Sequence, residues 1–346
     1  MIKINYEQKK QEIEEIYKNW FKNNCLESLV GYLRSSRELR DIIFYNSSYD
    51  DENILKLLNE YSKEDDIIGN EIIKFFLRDP YFHFILVDKF KNNDFEENMD
   101  KINTVKKEDS EIKKFFKNKY KNFRGKVAIP IINILDIKVC PYCNIDYIDV
   151  YKDDEGNADK FVGQLDHYFD KDSYCYLAIS LYNLIPCCQK CNHIKQNKKS
   201  KVFHPYLSTH KGLYKFKTSW NSKHDIAYLY GLSDEFNIII DINEFSRQEK
   251  LLLEKSVEVF RLKEKYNSRK LEIKNLIEKI HIYNDLLLKE YEEQLFNNND
   301  IYNDRNRFNI DDMKKIIFNN DFDEDKHSDR LMSKLTYDIL NEFDIT

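Results

Sequence analysis

The hydrophobic positions in the first third of the chain recur at intervals of three and four residues. In residues 6–23 they predict a helix, and its apolar face consists of Ile13, Ile16, Tyr17, Trp20 and Phe21. Residues 53–122 contain further amphipathic segments with the same spacing. The pattern therefore predicts a helical N-terminal region over residues 1–126.

The helical pattern is interrupted in the centre of the chain by Gly125 and Pro130. The segments "YIDVY" and "FVGQLDHY" are rich in β-branched and aromatic residues and flank the turn-like "KDDEGNADK", so they predict two strands. A further strand is predicted at "NIIIDI". Only 7 Gly and 5 Pro occur in 346 residues, which disfavours a turn-rich all-β fold. We expect an α+β fold that is mainly helical.

Another long helix is predicted from about Gln248 to Phe296. Its apolar seam advances in steps of three and four residues and consists of Val259, Leu262, Tyr266, Ile273, Leu276, Ile280, Tyr283 and Leu287. Such a seam is common in a helix that packs against its own domain, and it is also typical of a dimerising coiled coil, which would make the protein a homo-oligomer. We expect three regions: helical residues 1–126, a central module at 127–210, and mainly helical residues 211–346 with this coiled-coil-like helix.

The chain carries a formal charge of −6, but its charges are unevenly distributed. Residues 101–223 contain 23 Lys and Arg against 13 Asp and Glu, so a basic centre lies between acidic flanks. Such a block either binds phosphate groups or is a solvated surface. The first residues lack an apolar signal segment, and no stretch approaches the roughly 20 apolar residues of a membrane-spanning helix. We therefore expect a cytoplasmic protein that does not contact a membrane.

Four of the seven cysteines form two CxxC pairs, one at Cys140 and Cys143 and the other at Cys188 and Cys191. A cytosolic chain of this size rarely uses a disulfide framework. Two CxxC pairs supply the four thiolates that a tetrahedral Zn²⁺ ion prefers, and 44 residues lie between them. The spacing therefore predicts a structural zinc site that joins the two ends of this segment.

The other cysteines and the sequence CPYC leave alternatives. Cys187 could replace its neighbour only with the poorer CxxxC spacing, and Cys25 and Cys175 have no partner at a suitable spacing. We expect the last two to be buried thiols. CPYC could also belong to a thiol oxidoreductase, although the residues that follow it predict strand and turn rather than the helix that such a site uses.

The segment between the two CxxC pairs contains polar residues of catalytic type. Asp166 and His167 are adjacent at the end of a predicted strand, Asn183 begins the apolar stretch "NLIP", and Asn192 follows the last cysteine. The order CxxC, DH, N and CxxCN with a Lys three residues later is present as CPYC, LDHY, YNLIP and CQKCNHIK. This order resembles the zinc-stabilised HNH endonucleases, and the resemblance covers about residues 138–206.

The resemblance implies a ββα-metal module that hydrolyses DNA with a catalytic Mg²⁺ or Mn²⁺ ion. His167 would be the general base, because a neutral imidazole can take a proton from water near pH 7. Asp166 and Asn192 would offer oxygen ligands to the cation, with His193 as the alternative ligand. Asn183 would brace the loop and orient the histidine. The structural alternatives are a turn-capping Asp166 and a helix N-cap at Asn192.

Lys195, Lys198 and Lys199 are expected to contact the phosphate backbone, or else to be solvated surface. We expect His204 to be structural. The chain is most similar to the HNH nucleases of bacterial anti-phage systems such as Septu and retron effectors, which implies an ATPase partner protein.

The expected substrate is DNA, most simply double-stranded, with RNA as an alternative. The acidic flanks are expected to contact protein at least as readily as DNA. The rival from another functional class is a non-catalytic zinc-stabilised protein that binds nucleic acid or acts as a scaffold.

Overall fold

The structure is a computed structural model in which the chain is mainly helical. It describes residues 1–62, 67–92, 111–152, 159–196, 202–207, 214–220, 226–242, 247–297 and 309–345. Within these ranges the strands form three two-stranded antiparallel sheets, so the predicted α+β, mainly helical class is confirmed. None of the helices in these ranges is both long and apolar enough to cross a membrane.

Helices predominate in residues 1–126 in the described ranges, as predicted, and one more helix follows within the residues predicted as the central module. They are α1 (Lys10–Phe21), α2 (Glu27–Ser35), α3 (Arg37–Ile43), α4 (Asp51–Glu60), α5 (Ile67–Phe76), α6 (Pro80–Asn92), α7 (Glu111–Lys126) and α8 (Ala128–Leu135). The side chains of Ser36 and Asp50 accept bonds from backbone N–H groups and so fix the starts of α3 and α4. Pro130 does not end the helical pattern, because it lies in the first turn of α8, where its missing N–H has no helical partner to lose.

The centre of the chain contains two hairpins and one helix. β1 (Val150–Lys152) pairs with β2 (Asp159–Phe161), and β3 (Gln164–His167) pairs with β4 (Leu184–Cys187), which leads into α9 (Gln189–Gln196). The prediction of two strands in this part of the sequence is therefore only partly correct. The segment "FVGQLDHY" contributes to both β2 and β3, and the partner of β3 is the "NLIP" stretch, which was not predicted as a strand.

The break between β2 and β3 is at Gly163. A side chain at this position would have its first carbon 2.4 Å from the Phe161 ring and 2.9 Å from the carbonyl oxygen of Cys187. Only glycine fits such a close approach, so the residue allows the chain to pass from one hairpin into the next.

The C-terminal region begins with a third hairpin. β5 (Lys215–Trp220) pairs with β6 (Phe236–Asp241), and β6 is the strand predicted at "NIIIDI". The helices that follow are α10 (Arg247–Val259), α11 (Leu262–Asn267), α12 (Lys270–Ile282), α13 (Asp285–Asn297), α14 (Ile310–Phe318) and α15 (Ser333–Glu342).

The prediction of one coiled-coil-like helix from Gln248 to Phe296 is wrong, because four helices occupy this range. One break is at Arg261, whose φ of 52° lies in the left-handed region and ends the helical path. The seam residues Leu262 and Tyr266 are completely buried in the core of the same chain. This burial agrees with the alternative in which the helix packs against its own domain.

One hydrophobic cluster connects the three regions that the sequence predicted. The N–H of Ile2 donates to the carbonyl of Pro141 at 2.8 Å, and the hydroxyl of Tyr17 donates to the carbonyl of Ile179 at 2.6 Å. From the C-terminal region, the Tyr266 hydroxyl donates to the carbonyl of Cys143 at 2.6 Å. The boundaries at residues 126 and 210 stay predictions, but the helices on both sides of the central module contact it directly.

Candidate functional site

The four cysteines of the two CxxC pairs meet in the buried centre of the module. Cys140 and Cys143 lie in the turn before β1, whereas Cys188 and Cys191 lie at the start of α9, and their Sγ atoms are all within 4.8 Å of one another. The Sγ atoms of Cys143 and Cys188 are 3.9 Å apart. Four Zn–S bonds of about 2.3 Å in a tetrahedron would separate the sulfurs by about 3.8 Å. The cluster could therefore hold a structural metal ion such as zinc.

The surroundings of the cluster suit a negatively charged metal–thiolate group. The backbone N–H of Cys191 donates to the Sγ of Cys188 at 3.4 Å, and the Lys265 ammonium of α11 donates to the Sγ of Cys191 at 3.5 Å. Burial lowers the pKa of Lys265, but the nearby thiolates of Cys191 and Cys143 outweigh burial, so its pKa is raised. Such donors stabilise thiolate ligands and orient them.

The remaining cysteines lie apart from this cluster. Cys187 is buried next to it but is not one of the four converging sulfurs. Burial raises the pKa of Cys25 to about 12 and that of Cys175 to about 11, so both are protonated thiols at neutral pH. The two cysteines of CPYC are completely buried, which does not suit thiol exchange with another protein.

Asp166 is buried on β3 and makes two strong bonds through one oxygen. The hydroxyl of Tyr142, from the CPYC turn, donates to Asp166 Oδ2 at 2.7 Å. The ammonium of Lys195, from α9, lies 2.8 Å from the same oxygen. Lys195 also donates to the carbonyl oxygens of His167 and Tyr168, at 2.8 and 3.0 Å. The carboxylate is thus held between the cysteine turn and α9.

His167 ends β3, and one of its ring nitrogens is bonded to the backbone. Its Nε2 lies 3.0 Å from the carbonyl oxygen of Ala178, and a carbonyl can only accept, so Nε2 carries the proton. This bond leaves Nδ1 as a proton acceptor. Burial, together with the positive charge of Lys171, lowers the pKa of His167 from 6.5 to about 4. The imidazole is therefore neutral at pH 7, as a general base must be.

A side chain from the N-terminal region covers the imidazole of His167. The ring of Tyr120, on α7, has its centroid 4.4 Å from the centroid of the imidazole. The two residues are far apart in sequence, so no local pattern could have predicted the contact. The helical N-terminal region therefore takes part in building the site.

Asn183 braces the loop that follows His167. It is completely buried, its Oδ1 accepts from the N–H of Phe169 at 2.7 Å, and its Nδ2 donates to the carbonyls of Phe169 and Leu177 at 3.1 and 2.9 Å. These bonds tie the residues after β3 to the turn that precedes β4. The geometry is that of the supporting role expected for this residue.

Asn192 lies inside α9 rather than at its start. The helix begins at Gln189, and the N–H of Asn192 bonds to the carbonyl of Cys188 at 3.0 Å, so the N-cap alternative is wrong. Its Nδ2 donates to Gln164 Oε1 at 2.6 Å, and its Oδ1 accepts from Gln196 at 3.3 Å. The amide thus spans the gap between α9 and β3.

Of the three lysines expected to contact phosphate, the structure describes only Lys195. Lys195 is 8% exposed and its ammonium is bonded inside the module, so its position does not fit a contact with a phosphate backbone. Lys198 and Lys199 lie outside the described residues. His193 is exposed on α9 and does not line the cleft around His167, which does not favour it as an alternative ligand. His204 is buried and accepts from the N–H of Tyr206 at 3.3 Å.

Asp166, His167 and Asn192 all line one open cleft of about 1330 Å³. One wall is α7, with Tyr120 and Arg124, and the hairpin of β1 and β2 forms the rim. Comparisons of the chain with family models, with curated proteins and with solved structures find no match. Inferences about the chemistry of the cleft therefore depend on its geometry and on the sequence order described above.

Proposed function

We propose that the protein is a metal-dependent endonuclease of the HNH type that hydrolyses phosphodiester bonds of DNA. The observation that carries the proposal is the neutral imidazole of His167, whose Nδ1 is left as an acceptor in the cleft that Asp166 and Asn192 also line. The second support is the order of β3, β4 and α9 beside four converging cysteines. We propose zinc as the ion of that cluster.

The proposed reaction needs a base for the attacking water and charge compensation at the phosphate. His167 would take the proton from the water, and its bond to the carbonyl of Ala178 would hold the ring in the required tautomer. Attack on phosphorus would break its bond to the 3′ oxygen, which takes a proton from a solvent water, and would leave 5′-phosphate and 3′-hydroxyl ends. A bound Mg²⁺ or Mn²⁺ ion would supply the charge compensation.

Asp166 and Asn192 would hold that cation through their side-chain oxygens. In the described part of the chain, Tyr142 and Lys195 both bond to Oδ2 of Asp166, so Oδ1 is the carboxylate oxygen left for a metal ion. In the described residues, Asn192 Oδ1 accepts one bond, from Gln196, and its length of 3.3 Å means that a metal ion would displace a weak partner. Two oxygen donors leave most of the coordination sphere to water and phosphate, as is usual for Mg²⁺.

One observation favours the non-catalytic alternative. The buried ion pair between Asp166 and Lys195 would also be expected in a module whose carboxylate is purely structural. In that case the zinc-stabilised module would bind nucleic acid or organise a complex without cutting. The two functions differ in whether His167 is needed for cleavage.

The test is nicking of supercoiled plasmid by the purified chain in Mg²⁺ or Mn²⁺, beside His167→Ala and His193→Ala. Both variants change one imidazole, but only His167 lines the cleft. We expect cleavage by the parent and by His193→Ala, and its loss in His167→Ala at unchanged zinc content. Equal cleavage by all three proteins, or none by the parent at any metal concentration, would contradict the proposal and favour the non-catalytic module.

A further inference from the structure

The charged side chains that line the cleft differ in whether they have a partner of opposite charge. Four acidic side chains line it, and each has a partner: Asp159 bonds to Asn133 at 3.0 Å, Asp166 to Lys195 at 2.8 Å, Asp170 to Ser173 at 2.9 Å and Asp172 to Lys117 at 3.0 Å. The ammonium of Lys195 is therefore already paired within the protein.

Three other cations line the same cleft: Arg124, Lys160 and Lys171. Within the described ranges, none of them lies within 4.0 Å of a carboxylate oxygen. The cleft therefore contains three positive charges that are not paired with a carboxylate. Two carboxylates, Asp159 and Asp170, are bonded to the neutral side chains of Asn133 and Ser173 and keep their negative charge, so the remaining balance is positive and favours an anion.

The three cations come from different parts of the chain. Arg124 lies on α7, one turn after Tyr120, and Lys160 lies on β2 at the rim. Lys171 follows β3, and its ammonium lies 5.4 Å from the centroid of the Tyr120 ring, which itself contacts His167. A chain of phosphates that enters the cleft beside His167 would thus meet cations from three separate segments.

The rim also presents an aromatic ring beside one of these cations. Tyr151 on β1 is the direct cross-strand partner of Lys160, so both side chains lie on the same face of the hairpin. Tyr151 lines the cleft, is 54% exposed and makes no ring contact in the described part of the chain. A ring next to an ammonium matches the base and the phosphate of one nucleotide.

We propose that the cleft binds a single-stranded segment of nucleic acid. Arg124, Lys160 and Lys171 hold the phosphates on either side of the scissile one, and Tyr151 stacks on an unpaired base. In a duplex the base faces are covered by their neighbours, so only an unpaired nucleotide offers the face that the ring requires. The inference rests on the proposed nuclease function and names the form of the substrate, which the sequence left as duplex DNA.

The phosphate contacts are tested through the salt dependence of binding. A labelled single-stranded oligonucleotide is titrated by fluorescence anisotropy with the His167→Ala protein, which prevents cutting, and with the same protein carrying Arg124→Gln, Lys160→Gln and Lys171→Gln. The slope of log K against log salt concentration is expected to fall in magnitude by about 2, because each phosphate contact on a single strand contributes about 0.7. An unchanged slope would overturn the assignment.

A charge-matched control separates the cleft from the general surface. Lys255, Lys263 and Lys289 are exposed on the C-terminal helices and do not line the cleft. Changing all three to Gln removes the same charge and should leave the slope unchanged. A fall equal to that of the cleft variant would show that the positive charge acts without a defined site, and would overturn the proposal.

The stacking contact is tested with the same anisotropy titration on a single strand and on its duplex. We expect Tyr151→Ala to weaken binding of the single strand at least about fivefold and Tyr151→Phe to restore it, since stacking needs only the ring. Equal affinity for the two forms, or no effect of Tyr151→Ala, would overturn the single-strand assignment.

Failure of the inference and failure of the nuclease proposal are distinguishable. If the parent nicks plasmid and needs His167 while the cleft variants bind like their controls, only the inference fails. If the cleft variants behave as expected but the parent never cuts, the nuclease proposal fails and the single-strand site stands on its own.

Discussion

Replacing Tyr142 by Phe removes one hydroxyl between Cys140 and Cys143 and leaves the ring in place. The side chain is completely buried, its hydroxyl donates to Asp166 at 2.7 Å, and its ring stacks on Phe260 with the centroids 4.5 Å apart. Tyr142→Phe keeps the stacking and removes only the bond. Because a hydrogen bond to a charged group contributes about 1.5–3 kcal/mol, we expect the free energy of unfolding to fall by about 2 kcal/mol.

Tyr176→Phe is the matched control for this variant. Tyr176 is also completely buried, but its hydroxyl has no hydrogen-bond partner in the described part of the chain. Removing a buried hydroxyl that lacks a partner relieves a desolvation cost, so the expected change in stability is near zero or a gain of about 1 kcal/mol. The same chemical change should therefore have different effects at the two positions.

The assay is urea unfolding followed by far-ultraviolet circular dichroism, with metal content measured on the same samples. The four cysteines are unchanged, so both variants should keep the metal content of the parent. In the nicking assay, the rate should fall in Tyr142→Phe alone, because only that hydroxyl positions Asp166. Equal destabilisation of the two variants, or a loss at Tyr142 that follows a loss of metal, would refute the assigned bond.

Three further predictions concern the metal cluster, acid stability and chain packing. The parent should carry about one equivalent of zinc, which Cys188→Ala should lose and Cys187→Ala should keep, because only the Cys188 sulfur converges with the others. The zinc content is measured by plasma mass spectrometry, and equal retention in the two variants would contradict the proposed site. Burial lowers the pKa of His83 from 6.5 to about 4, so below pH 6.5 the unfolded chain binds a proton that the folded chain does not. The free energy of unfolding of the parent should therefore fall by up to about 3 kcal/mol between pH 6.5 and 4. In His83→Leu, the urea midpoint should fall less than in the parent over the same pH range. An identical pH dependence of the two proteins would contradict the burial of a neutral imidazole. Gly163→Ala should lower the free energy of unfolding by about 2 kcal/mol through its clash with neighbouring atoms. Gly31→Ala changes an exposed helical position with open space around it, so it should raise the free energy of unfolding by about 0.5–1 kcal/mol. A change of the same sign in Gly163→Ala and Gly31→Ala, measured by urea unfolding, would refute the packing argument.

The cluster of four cysteines was predictable from the sequence because its determinants are local. A CxxC turn brings two sulfurs to one side wherever it occurs. Two such turns together supply the four thiolates of a tetrahedral site, so the sequence indicated Cys140, Cys143, Cys188 and Cys191 as one set of ligands. The mainly helical class was predictable for the same reason, since amphipathic spacing reports which face of a segment is buried.

The details of the cleft depend on contacts between distant residues, which no local pattern encodes. Lys195 looked like one of several surface lysines, yet α9 packs on β3 so that its ammonium meets Asp166. The contact of Tyr120 with His167 depends on how α7 docks against the module. Tyr142 could have been predicted to be a buried and ordered residue, because it lies between two cysteines of the cluster. Its hydrogen-bond partner Asp166 could not be predicted from the sequence. The apolar seam near Arg261 correctly predicted which side chains are buried, but it wrongly predicted one continuous helix. Hydrophobic periodicity does not detect a residue with a left-handed backbone conformation.

The bonds of the cysteine turn also bear on when the protein becomes complete during its synthesis. Asn144, directly after Cys143, donates to the carbonyl of His327, 183 residues later, and its own carbonyl accepts from the N–H of Met332 at 2.7 Å. Since chains emerge from the ribosome N-terminus first, the turn lacks these partners until residues 327–332 have been made. An interrupted translation product that ends before residue 327 contains both CxxC pairs, Asp166 and His167, but not the bonds that fix the turn behind them. Assembly of the cleft therefore waits for residues that are made 183 positions after the turn itself.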